Sequence, residues 1–192
     1  MPAKPEMQSR VERILSLATR LGALQFGEFT LSSGQKSRYY FDDRLLTLHP
    51  EGLRAVAESF LRLIEETDAI AVGGPTVAAD PIVGALTLLS GMRGHPLLGF
   101  LVRSQAKAHG MGKQVEGPLA PGSKVVIVDG TLSTGGSVFT AIQAAEAQGC
   151  QVVRVLTILD RHQGGSDKLR ERGYAFATLL EATPEGEIQP AL

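Results

Sequence analysis

Val125-Val126-Ile127-Val128-Asp129-Gly130-Thr131-Leu132-Ser133-Thr134-Gly135-Gly136-Ser137 is the stretch that decides the fold of this chain. Four β-branched residues in succession have the composition of a strand buried on both faces, as in a parallel sheet. An acid, Asp129, stands where that run ends, and small hydroxyl and glycine residues follow. Residues 138–147 then read as a helix. A strand feeding a Gly/Ser/Thr turn and a helix N-terminus makes a cradle for an anion. The free N–H groups of the first turn, the hydroxyls of Ser133, Thr134 and Ser137, and the helix dipole all favour a phosphate. Gly135 and Gly136 let the backbone approach it closely.

Three other phosphate-linked motifs share parts of this pattern and are excluded. No Gly-x4-Gly-Lys-Ser/Thr occurs, so the turn is not a P-loop. The glycine spacing of the dinucleotide fingerprint is absent. Asp129-Gly130-Thr131-Leu132 mimics the strand end of haloacid-dehalogenase-type phosphatases, but that chemistry needs a nucleophilic Asp where Ile127 stands.

Working outward, the composition sets the class. A chain of 192 residues suits one domain with a proper core, and 43% hydrophobic with 20% charged residues is ordinary globular composition. A net charge of −1 gives no electrostatic case for nucleic acid or an anionic membrane as partner. One cysteine, Cys150, excludes an internal disulfide and any multi-cysteine metal site, which fits a reducing cytoplasm. No apolar signal segment opens the chain. Its most apolar stretch, 69–91, is broken by Pro75, Asp80 and Pro81 and does not read as a membrane span.

Before the central stretch, Ser9 and Glu12 read as a capping box starting a helix that Gly22 ends. Residues 26–31 read as a short strand and Ser32-Ser33-Gly34 as a turn. A second helix is expected over 50–67, buried strands over 68–73 and 97–102, and a helix between them to about Met92. The polar, glycine-bearing run 103–113 is a functional or mobile loop. After the centre come a strand over 151–160, a short helix over 165–173, a last strand over 174–180 and a loose tail from Thr183. Alternating strands and helices predict an α/β fold with a central, mainly parallel sheet flanked by helices. Ligands of such sheets sit beyond the carboxyl ends of the strands. Loops at Gly74, Arg103, Asp129 and Arg161 all leave such ends, so they are expected to form one site.

With these residues in view, the chain resembles the orotate phosphoribosyltransferases of the type I phosphoribosyltransferase family over nearly all its length. The strand, acid and Ser-Thr-Gly-Gly-Ser run is similar to that family's PRPP-binding motif. Residues 29–34 through Tyr40-Phe41-Asp42 resemble its N-terminal substrate hood. The run from Arg103 to Gly110 resembles its catalytic loop. Leu159-Asp160-Arg161 with Gly164-Gly165 resembles its orotate-binding segment. The resemblance implies one phosphoribosyltransferase domain over 1–192, with the helix and hood over about 1–48, the core over 49–182 and a tail over 183–192. It implies transfer of ribose 5-phosphate from PRPP to orotate, giving orotidine 5′-phosphate and pyrophosphate, with Mg²⁺, by a cytoplasmic homodimer.

The roles the resemblance implies match the chemistry available. Ser133, Thr134, Gly135, Gly136 and Ser137 would cradle the 5′-phosphate, and Asp129 would accept from the ribose hydroxyls. Arg103, Lys107 and His109 would meet the departing pyrophosphate, with Lys107, His109 and Asp129 as the catalytic set. Arg161 would pair with the orotate carboxylate, Ser133 would touch the base, and Tyr40 and Phe41 would wall it. No side chain is expected as a direct metal ligand, with Asp129 reaching Mg²⁺ through water. Read one at a time these residues are ordinary: Arg161 a surface arginine paired with Asp160, His109 a solvated loop histidine, Tyr40 and Phe41 core. Three departures from the family pattern stand out. Its acidic pair is Asp129-Gly130 here, its loop begins Arg103-Ser104 and keeps Lys107, and a hood lysine is Ser32. The first two favour, as an alternative, a PRPP-binding regulatory paralogue with little catalysis; a phosphoribosyltransferase for another base is a further alternative, with Arg161 arguing against a neutral purine.

Overall fold

The computed structural model describes residues 4–30, 36–105 and 113–192. In chain order the elements are α1 (Lys4–Arg20), β1 (Leu24–Thr30), β2 (Lys36–Phe41), α2 (Asp43–Thr47), α3 (Pro50–Ile64), β3 (Ala71–Pro75), α4 (Ala79–Met92), β4 (Leu98–Val102) and β5 (Val115–Glu116). They continue with β6 (Lys124–Leu132), α5 (Gly136–Glu146), β7 (Gln151–Asp160), α6 (Gly165–Glu171), β8 (Phe176–Ala182) and β9 (Ile188–Pro190).

β6 carries the apolar run, and its residues from Val125 to Val128 are fully buried. Alternate side chains leave a strand on opposite faces. Val126 and Val128 therefore join a core shared with Ile14, Phe60 and Leu86 of α1, α3 and α4. Val125 and Ile127 join a second core with Val138 and Ile142 of α5 and Leu169 of α6. Both faces are covered by helices, which is why the run is unbroken rather than alternating.

The main sheet has seven strands in the order β5-β4-β3-β6-β7-β8-β9. The five inner strands run parallel and the two short edge strands antiparallel. After β3 the chain crosses to β4 on one side, and β6 returns on the other. The strand order thus reverses between β3 and β6, and a crevice opens there beyond their carboxyl ends. β1 and β2 form a separate antiparallel hairpin, the N-terminal hood, with Leu24 opposite Phe41.

Several sequence expectations change. Ser9 lies inside α1 (Lys4–Arg20), so Ser9 and Glu12 do not cap its start. The tail is not loose: Ile188 pairs with Ala182 and is buried against the core of α1 and α3. α2 went unread; Asp42 caps it, accepting from the Arg44 backbone N–H at 3.1 Å. Among the described residues, no helix is long and apolar enough to cross a membrane.

Candidate active site

β6 ends at Leu132 and the turn Ser133-Thr134-Gly135 delivers the chain into α5. Gly135 has φ +87°, a left-handed conformation that glycine adopts without a steric penalty. A Cβ there would come within 2.9 Å of the Phe139 ring, so the turn rests directly on that ring. Gly136 differs: it is exposed, and a Cβ on it would enter open space. No side chain caps α5, so its first-turn N–H groups keep no side-chain acceptor. α4, on the other side of the β3/β6 crevice, is likewise uncapped. Two helix N-termini therefore present positive ends to one crevice. The peptide between Thr76 and Val77, in the turn before α4, is cis.

Asp129 is 4% exposed, within β6. Its Oδ1 accepts from the Gly130 N–H at 2.8 Å and its Oδ2 from the Ser137 hydroxyl at 3.0 Å. Burial pushes its carboxyl up to about 7, with the neighbouring Asp43 charge adding to the rise and the two hydrogen bonds opposing it. Ser137 therefore spends its proton on Asp129, where the sequence reading gave it to the phosphate. Ser133 contributes its carbonyl to the turn, accepting from the Gly165 N–H at 2.9 Å. Thr134 is exposed at the tip.

Arg161 follows β7 and ties three elements together. Its backbone N–H donates to the Leu132 carbonyl at 2.9 Å and its Nη2 to the Phe41 carbonyl at 3.3 Å. Its guanidinium lies over the Tyr39 ring, 5.5 Å from the centroid. Its Nε is buried and has no partner among the described residues. Asp160 is not its ion-pair partner: the buried Asp160 carboxyl accepts from the His162 N–H at 2.9 Å and shapes the turn after β7. Arg161 also lines a cavity of about 500 Å³ with Lys36, Arg38, Tyr39 and Gln163, between the hood and the chain end.

The hood corrects the aromatic assignment. Phe41 is 4% exposed and part of the core, so its ring cannot wall a base, and it serves through its carbonyl. The ring that meets Arg161 is Tyr39, a residue the sequence reading passed over. Tyr40 is 39% exposed with its ring 5.8 Å from that of Phe29, on the open side of the hairpin. Alternation along β2 separates the three aromatics: Tyr39 and Phe41 are buried and Tyr40 exposed. Arg103 leaves β4 with its guanidinium 3.5 Å from Glu116 of β5. Lys107, His109 and Ser32 lie outside the described residues.

One further acid reaches the crevice. Asp43, the first residue of α2, lies against Gly130, and its Oδ2 is buried with no hydrogen-bond partner among the described residues. Nothing local to residues 129–137 signals it.

The comparisons agree with this geometry. The phosphoribosyl transferase domain model matches residues 49–176. An orotate phosphoribosyltransferase of Rhodopirellula baltica is 45% identical over 163 residues, covering 82% of this chain and 84% of that protein. The Mycobacterium tuberculosis H37Rv orotate phosphoribosyltransferase, solved in complex with Fe(III) dicitrate, superposes with a TM-score of 0.77 at 35% identity, covering 90% of this chain and 95% of that one. The same protein in complex with 5-phospho-α-D-ribosyl 1-diphosphate (PRPP) gives 0.73 at 32% identity, with the same coverage.

Proposed function

The chain belongs to the orotate phosphoribosyltransferases of the phosphoribosyl transferase domain family, and from that premise we propose that it transfers ribose 5-phosphate from PRPP to orotate. The C1′–oxygen bond to pyrophosphate breaks, a bond from C1′ to N1 of orotate forms, and the N1 proton is lost. The observation that carries this reading is the Arg161 guanidinium: its Nε is buried and unpartnered, beside an uncapped helix N-terminus. A cation with a buried N–H that lacks an acceptor among the described residues, next to a phosphate-ready turn, suits a substrate pair in which one member carries a carboxylate and the other phosphates.

In this reading the 5′-phosphate sits on the first-turn amides of α5, with Ser133, Thr134, Gly135 and Gly136 around it. Asp129 accepts from a ribose hydroxyl, and does so most strongly in its ionised form. Pyrophosphate leaves toward the turn before α4 and is met by Arg103, Lys107 and His109, whose cations offset the developing charge. Arg103 must exchange its Glu116 contact for the ligand to do so. Orotate lies between the hood and Arg161, its carboxylate on the guanidinium, with Ser133 at the edge of the ring.

Among the described residues, no three acid, histidine or cysteine side chains converge to hold an ion. That donor set fits Mg²⁺, which is commonly held by substrate phosphates with one or two carboxylates, here Asp129 through water. When bound, Mg²⁺ would neutralise charge on the pyrophosphate leaving group.

A homodimer is part of the same proposal. After Asp80, α4 has no charged residue, and its outward face is Gly84, Leu88, Gly91 and Met92. Leu88 and Met92 are 65% and 75% exposed, one helical turn apart. An outward helix face of that composition suits burial against a second copy. A cytoplasmic setting fits Cys150, a buried free thiol.

Base choice tests the reading. Purified protein with PRPP and Mg²⁺ is offered orotate, uracil, adenine or hypoxanthine. Orotate alone should be consumed, and consumption of a base without a carboxylate at a comparable rate would contradict it.

A further inference from the structure

The family pattern places a second acid immediately after the first, where this chain has Gly130. The backbone of Gly130 does not leave that place empty. A Cβ built on it would fall on the carboxyl group of Asp43 and within 2.9 Å of Asp43 Cβ. Asp43 therefore occupies the volume that a side chain at position 130 would fill. Resting on the function proposed above, we propose that Asp43 is the second carboxylate of the ribose site, supplied from α2 instead of from β6. It would accept from one ribose hydroxyl of PRPP while Asp129 accepts from the other.

Four observations support this assignment. Asp43 is the first residue of α2, whose N-cap is Asp42, so its backbone is fixed by the helix start. Its neighbour Asp42 is satisfied by Arg44, with hydrogen bonds of 2.8 and 3.0 Å, and does not draw Asp43 away. Asp43 Oδ2 is buried and accepts no hydrogen bond among the described residues. A buried acceptor left empty is costly, and a hydroxyl donor would satisfy it. Asp43 also interacts electrostatically with both Asp129 and Arg161. Burial, the largest influence, raises its carboxyl above the usual range, Asp42 adds to this, and Arg44 and Arg161 oppose it. The carboxyl thus feels both the acid of the ribose site and the cation of the base site.

The geometry makes residues 43 and 130 mutually exclusive, and a two-position cycle tests it. PRPP binding is followed by calorimetry with Mg²⁺, and turnover with orotate in parallel. Asp43→Ala should weaken PRPP by about tenfold or more, the scale of one hydrogen bond to a charged acceptor, while the orotate KM changes little. Asp43→Asn, which keeps one acceptor, should fall between. Gly130→Asp alone should also weaken binding, because its side chain meets Asp43. The double variant Asp43→Gly with Gly130→Asp should recover most of the affinity. Asp43→Ala with Gly130→Ala relieves the same clash without restoring a carboxylate, and should stay weak. Thermal unfolding of each variant separates folding loss from binding loss.

If Asp43→Ala binds PRPP as the wild type does, or if both double variants recover equally, the assignment is overturned. Wild-type protein that binds PRPP but transfers to no base would sink the proposed reaction and leave the Asp43 assignment to the affinity cycle. Wild-type protein that does not bind PRPP would overturn both.

Discussion

Asp129 is the residue whose chemistry sets the strongest condition on the site. A carboxyl buried to 4% exposure and raised from the ordinary 3.8 to about 7 holds a proton in the folded chain that the unfolded chain has already lost. Between those two values ionisation works against folding, so stability falls as pH rises through the window and levels off above it. Urea unfolding should find the wild type less stable at pH 8 than at pH 5, with Asp129 contributing on the order of 2 kcal/mol to the difference. Asp129→Asn should remove that contribution. Binding runs the other way: an ionised carboxylate accepts from ribose hydroxyls more strongly than a protonated one, so PRPP affinity should rise through pH 7 more steeply in the wild type than in Asp129→Asn. Gly136 gives a cleaner test of the cradle than Gly135. Gly135→Val would strain a left-handed backbone and strike Phe139, whereas the Cβ of Gly136→Val meets nothing within 4 Å in the unliganded chain. It should leave the unfolding midpoint nearly unchanged and cut PRPP affinity at least tenfold, roughly one lost charged hydrogen bond. Arg161→Ala should raise the orotate KM and weaken transition-state binding by roughly 2–5 kcal/mol while PRPP binding barely changes. An unaltered orotate KM would make Arg161 structural. At this scale the sequence was legible where a residue's place is set by its own strand end, as with Asp129 in β6 and Arg161 after β7. It was silent on Asp43, because that contact joins two segments far apart in the chain, and it misjudged Phe41, because the faces of β2 are set by the core beneath the hood.

Elements divide by where their stability comes from. β3, β6 and β7, buried inside the sheet, and α3 to α5 announce themselves by composition and periodicity, and the reading placed each within a few residues. β5 and β9 are short edge strands and β2 lies in the hood, where pairing with distant partners and not local propensity decides the conformation. β9 shows the consequence for stability. Ile188 is 7% exposed and seals the end of the core beside α1, so Ile188→Ala should cost about 2 kcal/mol, near the low end for truncating a buried isoleucine. The urea midpoint should fall with no change in slope. A neutral effect would return the tail to the loose state first expected of it.

The whole molecule places its chemistry where sheet topology reverses. The uncapped ends of α4 and α5 flank the β3/β6 crevice, β7 delivers Arg161 beside them, and the hood brings Tyr39 and α2 down from the N-terminal side. In the proposed reaction the crevice alone serves the phosphate, the hood and Arg161 serve the base, and α2 supplies a second acid. That division explains why the sequence already pointed to PRPP through one contiguous motif, while the base pocket needed three dimensions. The central claim is transfer of ribose 5-phosphate to orotate, and one measurement meets it most directly. Protein, PRPP and Mg²⁺ are mixed with orotate, and orotate absorbance is followed alongside pyrophosphate release. The account predicts that the two change together, mole for mole, and that neither changes when PRPP or orotate is left out. Pyrophosphate released without loss of orotate, or no change in either with PRPP bound, would contradict it.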